Sequence, residues 1–118
     1  MKKAVNVIFV LFLFGLFVST QAQVQSGSYH FDQSAAEYSL HKNDGNRPVE
    51  VEVKFNKPFE STPKIFLSIT KIDSKNDTQM RYAVGAKYIN RDGFTLRVTV
   101  WADTRIAAIG GDWIAHEE

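Results

Sequence analysis

The chain has 118 residues, with 14 Lys and Arg against 13 Asp and Glu for a formal net charge of +1, and no cysteine. Such a balance argues against a nucleic-acid binder, which needs a basic stripe to neutralise phosphates. The lack of cysteine excludes a disulfide framework, a thiolate metal site and a lipid-modified cysteine.

The N-terminal segment 1–22 reads as a secretory signal peptide. Lys2 and Lys3 give a basic start, 7–18 is an almost unbroken apolar run, and Thr20-Gln21-Ala22 supplies small residues at the cleavage spacing. A retained anchor is the weaker reading, because that run falls short of the roughly 20 apolar residues that span a bilayer. The expected product is an exported protein, secreted or periplasmic, with one domain over 23–118 and no membrane span. Losing Lys2 and Lys3 leaves 12 basic against 13 acidic residues. A domain of this size buries only about two-thirds of its unfolded surface, so a subunit interface would add useful burial.

After a polar lead at 23–27, residues 28–31 form a short first strand with Tyr29 and Phe31 on one face. Residues 32–48 are loop-like, rich in Ser, Asn, Asp and Gly, with Asp44-Gly45 as a turn signal. "VEVEVKF", 49–55, alternates Val49, Val51, Val53 and Phe55 against Glu50, Glu52 and Lys54, the pattern of a half-buried strand. "PKIFLSITKI", 63–72, is a strand by its β-branched and aromatic content, and Pro63 is tolerated at its start.

In 79–90, Met80, Tyr82, Val84, Ala86 and Tyr88 share one phase and Arg81 takes the other. Asn90-Arg91-Asp92-Gly93 is a tight hairpin connection into "GFTLRVTVWADTR", 93–105. There Phe94, Leu96, Val98 and Val100 point one way, and Trp101 falls in line with Thr95, Arg97 and Thr99. The last segment, 105–115, has an ambiguous phase, and its adjacent Gly110 and Gly111 signal a bulge or a close backbone approach. The fold class is therefore all-β, a six-stranded antiparallel β-sandwich forming a single domain.

Catalytic signals are lacking. His30, His41 and His116 sit at no His-Glu-x-x-His spacing, Ser28, Ser34 and Ser39 lack a nucleophile elbow, and no glycine-rich loop joins a strand to a helix. Glu50 and Glu52 share a strand face with Lys54, which fits a solvated face better than a glycosidase pair opposed across a cleft. The expectation is a protein that is not an enzyme and takes neither cofactor nor metal.

Binding remains, and Trp101 is its focus. An indole on the wet side of a strand suits a ligand with one apolar and one polar face, such as a sugar ring, and Arg81 supplies a fork of donors for hydroxyl or carboxylate oxygens. Counting about the Arg91-Asp92 centre sets Arg81 opposite a residue near 102. Two plainer readings stand beside this one: Trp101 as a lid on its own core or a subunit contact, and Arg81 as a solvated surface residue.

The stretches "VQSG" at 24–27, "VKFNKPFESTPKIFLSITKID" at 53–73, "MRYAVGAKYINRDGF" at 80–94, and "TVWADTRI" followed by "DWIA" within 99–115 together resemble an H-type lectin domain. The resemblance covers nearly all of 24–115. It implies a six-stranded sandwich that trimerises, binds galactose-type glycans, especially N-acetylgalactosamine, without calcium in clefts between protomers, and serves cell adhesion. Carried over to this chain, Trp101 is the aromatic sugar contact, Arg81 the sugar-binding arginine, and Asp44 the acid that the neighbouring protomer brings to a sugar hydroxyl. Ala102 stands where the family's snail member has a histidine, and Ala107 where it has an aromatic residue. With no cysteine, a disulfide-linked dimer of trimers is not available. Ala102 and Ala107 favour an alternative: a structural or protein-interaction module of a surface assembly that keeps the fold.

Overall fold

A computed structural model describes residues 23–117, so the expected signal peptide lies outside the described residues. Seven strands follow one another: β1 (Val24–Asp32), β2 (Arg47–Lys54), β3 (Lys64–Leu67), β4 (Lys71–Ser74), β5 (Tyr82–Lys87), β6 (Gly93–Val100) and β7 (Ile106–His116). Two antiparallel sheets result. One has the order β1-β7-β3, with β4 also on β7, and the other has the order β2-β6-β5.

The count of seven corrects the expected six, and the reason is local. Leu67 pairs with Trp113 while Lys71 pairs with Gly110, so residues 68–70 run against only Asp112 and Gly111. That is one residue too many for a continuous ladder, a bulge that splits the expected 63–72 strand in two. Ser68 N–H and Thr70 N–H still donate to the carbonyls of Asp112 and Gly110, each at 2.9 Å. Gly111 is required here, since a Cβ on it would lie 1.8 Å from the Ser68 carbonyl oxygen. The adjacent glycines thus mark both a bulge and a close approach.

Strand limits also differ from the sequence reading. The polar lead 24–27 belongs to β1, an edge strand held by its register along β7 from Val24↔His116 to Asp32↔Ala108. Backbone pairing, which composition does not display, places it there. β5 stops at Lys87: the expected tight turn at 90–93 is closed by the Asn90 N–H donating to the Gly93 carbonyl at 3.0 Å, but Tyr88 ahead of it adopts a left-handed backbone (φ 53°) and interrupts the strand.

β6 and β7 lie in the middle of their respective sheets and supply much of the core. Phe94, Leu96, Val98 and Val100 from β6 meet Ile109, Trp113 and Ala115 from β7, with Tyr29, Val49, Phe55 and Phe59 around them. At the end where β6 begins, Phe55 packs edge-on to Phe59 (centroids 4.9 Å apart) and Trp113 sits 5.6 Å from Phe94 at 76°. Such tilted contacts suit aromatic quadrupoles. The chain between these two central strands, residues 101–105, crosses from one sheet to the other and carries Trp101.

Candidate functional site

Alternation along β6 sets the geometry. With Val98 and Val100 fully buried, the next residue must face outward, and Trp101 is 39% exposed. The β5–β6 ladder, Tyr82↔Val100 through Lys87↔Thr95, places Arg81 opposite Trp101, and the Trp101 N–H donates to the Arg81 carbonyl at 3.2 Å. Arg81 is exposed, and its guanidinium has no side-chain partner among the described residues. An indole face and an uncommitted donor fork therefore share one end of the β2-β6-β5 sheet.

Thr104, fully buried, pins this corner. Its hydroxyl accepts from the Arg81 N–H at 2.8 Å and donates to the Gln79 carbonyl at 2.6 Å, while its own N–H reaches back to the Trp101 carbonyl at 3.4 Å. One side chain thereby ties the segment leading into β5, which bears Arg81, to the turn that follows Trp101. Ala102, inside that turn, takes φ 57°, a left-handed conformation that costs an L-residue with a Cβ roughly 1–2 kcal/mol.

The loop 42–45 lies against the same turn. Gly45 N–H donates to the Ala102 carbonyl at 3.0 Å. Arg47, buried, bridges the two segments by donating from Nη2 to Ala102 at 3.0 Å, from Nη1 to Lys42 at 2.9 Å and from Nε to Gly45 at 2.9 Å, each time to a carbonyl oxygen. Burial, followed by repulsion from Arg105, lowers its pKa below the usual arginine value. Arg105 holds the tip of the loop, donating to the Asn43 carbonyl and pairing with Asp44 at 3.0 Å. The Asp44 carboxylate is 73% exposed despite that pair.

The four residues singled out from sequence, Asp44, Arg81, Trp101 and Ala102, thus belong to one end of the fold. Arg81 and Trp101 are joined directly by the backbone, and Asp44 comes with a loop anchored on Ala102. Sequence reasoning missed Thr104, Arg47 and Arg105. A signal existed for Arg47, which shares the inward phase of Val49, Val51 and Val53, where a charge is out of place without partners. Thr104 and Arg105 sit in a turn without periodicity and gave none. Among the described residues, no group of three or more His, Asp or Glu could hold a metal ion.

A family model described as the H-type lectin domain matches residues 50–116, and the chain belongs to that family. The matched segment includes Arg81, Trp101 and Ala102, and Asp44 lies before it. A protein named ATP synthase subunits region ORF 7, from Fuscovulum blasticum, is 35% identical over 61% of this chain and 63% of its own length. One of the discoidin-1 polypeptides of Dictyostelium discoideum is 32% identical over 82% of this chain and 37% of its own length. The solved structure of wild-type discoidin II from the same organism superposes with a TM-score of 0.73 at 27% identity, covering 83% of this chain and 37% of that one. The chain thus spans little more than a third of these discoidins and less than two-thirds of the Fuscovulum relative.

Proposed function

We propose that this protein is a lectin whose sugar site lies at the 101–105 crossover. A galactose-type ring, with N-acetylgalactosamine as the favoured form, stacks its C–H face on Trp101. Arg81 donates to ring-substituent oxygens, and Asp44 accepts from a hydroxyl of the sugar held by a neighbouring protomer of a trimer. Segment 1–22 directs export. The observation that carries this reading is the Trp101–Arg81 pair, an exposed indole beside a guanidinium left without a side-chain partner among the described residues. Family membership supports it.

The chemistry is that of a weak single site with gains from repetition. Micromolar affinity corresponds to about −8 kcal/mol, and three sites engaged together raise avidity by roughly 10² to 10⁴. A glycan array with wild type and Trp101→Ala tests the reading, with the mass in solution measured in parallel. Wild type should bind galactose-type glycans, and the variant should lose at least about tenfold, the scale of a truncated aromatic hot spot. A wild type silent on the array, or an unaffected variant, overturns the proposal.

The Asp44–Arg105 pair and Ala102 favour a second reading, a protein-interaction module in which the loop carboxylate is already committed. Capture of a partner protein that free galactose and N-acetylgalactosamine fail to release would select it.

A further inference from the structure

An opening lies on the outer face of the β2-β6-β5 sheet, at the end opposite Trp101. It is a cleft of about 290 Å³ lined chiefly by Glu52 and Lys54 of β2, Thr95 of β6, and Tyr88, Asn90 and Asp92 of the β5–β6 connection. Thr95 and Trp101 share the outward phase six residues apart, which separates this cleft from Trp101 by about 20 Å at ordinary strand rise.

Tyr88 is the anomaly that draws attention to it. By alternation its ring belongs with Tyr82, Val84 and Ala86 on the core side, yet it is 74% exposed. The cause is its φ of 53°, a conformation unusual for an aromatic residue. Two contacts hold this arrangement. Asn90 Nδ2 donates to the Tyr88 carbonyl at 3.2 Å, and the Tyr88 hydroxyl lies against Arg97, which is itself fixed by Glu50 at 2.7 Å. Asn90 Oδ1 accepts from the N–H groups of Asp92 and Gly93 at 2.8 and 3.2 Å, fixing the loop beneath.

The lining selects a ligand class. A propped aromatic ring offers a stacking face, the side chains of Glu52 and Asp92 have no partner among the described residues and accept from hydroxyls, and Lys54 and Thr95 donate. Two carboxylates against one ammonium disfavour phosphates, sulfates and acidic sugars. A lipid chain would cover the charged groups of Glu52, Lys54 and Asp92 in the lining without offering them a partner.

We infer that this cleft is a second saccharide site, taking a neutral pyranose stacked on Tyr88 with its hydroxyls on Glu52 and Asp92. With Trp101 at the far end of the same face, each protomer then holds two sugars about 20 Å apart and cross-links separate glycan branches. The cleft is independent of the Trp101 site, and each can fail alone.

The test is an amide-shift titration of the ¹⁵N-labelled protein with the methyl pyranosides of galactose, N-acetylgalactosamine, glucose and mannose. At least one should move the amides of Asn90, Asp92 and Thr95 together, with a midpoint unchanged in Trp101→Ala and weakened about tenfold or more in Tyr88→Ala. Asp92→Asn, which keeps the ring, should weaken the same shifts and covers the case in which Tyr88→Ala fails to fold. Amides 88–95 unmoved by all four sugars, or moved in Tyr88→Ala and Asp92→Asn as in wild type, would overturn the inference. So would a lower solution mass for Tyr88→Ala without any sugar-dependent shift in wild type, which assigns the ring to a contact between copies. Shifts around Arg81 and Trp101 report the other site separately.

Discussion

Trp101 donates its backbone N–H to the carbonyl of Arg81, so the two residues that offer a stacking face and a donor fork occupy one rung at the end of a β-ladder. Their separation is fixed by the backbone rather than by either side chain, the kind of rigid support on which a binding site depends. Disturbing the supports should therefore change binding even where the ligand is never touched.

Thr104→Val removes the hydroxyl while keeping the shape, leaving the Gln79 carbonyl and the Arg81 N–H without their partner. Urea unfolding should show a loss of about 1–3 kcal/mol. Sugar affinity should fall as Arg81 drifts, and Thr104→Ser should restore both.

Arg47→Lys keeps the charge and loses the fork. One ammonium cannot serve the carbonyls of Lys42, Gly45 and Ala102 in the geometry of a guanidinium. We expect about 2 kcal/mol of destabilisation and faster hydrogen exchange at the Gly45 amide, which is bonded to Ala102.

Ala102→Gly relieves a left-handed residue without touching a contact of Trp101 or Arg81. The gain should be about 1 kcal/mol, which for a domain of this size raises Tm by about 4–8 °C. Unchanged or lowered Tm in a calorimetric scan would contradict the assigned strain.

Asp32 supplies the pH dependence. Hydrogen bonds from the Ser34 side chain and backbone, then from His30, lower its carboxyl pKa to about 2. A depressed folded-state value means that the stabilisation is complete above the unfolded carboxylate range near 4 and is lost as pH falls through about 2. The difference in urea midpoint between wild type and Asp32→Asn should be constant at neutral pH, shrink below about pH 4 and vanish only below about pH 2.

Legibility in the sequence followed periodicity. The outward Trp101 could be read because β6 alternates without a break, and the count across the hairpin put Arg81 one residue away from its true partner. The shift arises at Tyr88, whose left-handed backbone lies between the Asn90–Gly93 turn and the Lys87↔Thr95 rung, where the register moves by one residue. The bulge that divides β3 from β4 was half visible, as two glycines on the facing strand but not as the extra residue opposite them. Arg47 and Thr104 stayed hidden for a different reason. Their partners are main-chain carbonyls and amides from distant segments, and main-chain groups leave no mark in composition.

The chain has two tryptophans, and the fold gives them opposite surroundings. Trp113 is enclosed by Phe55 and Phe94, whereas Trp101 stands at the rim. Emission from the enclosed indole should lie to the blue and resist iodide, while the rim indole should emit to the red and quench readily. Occupancy of one end and the integrity of the interior can thus be followed by light in the same cuvette, without any added dye.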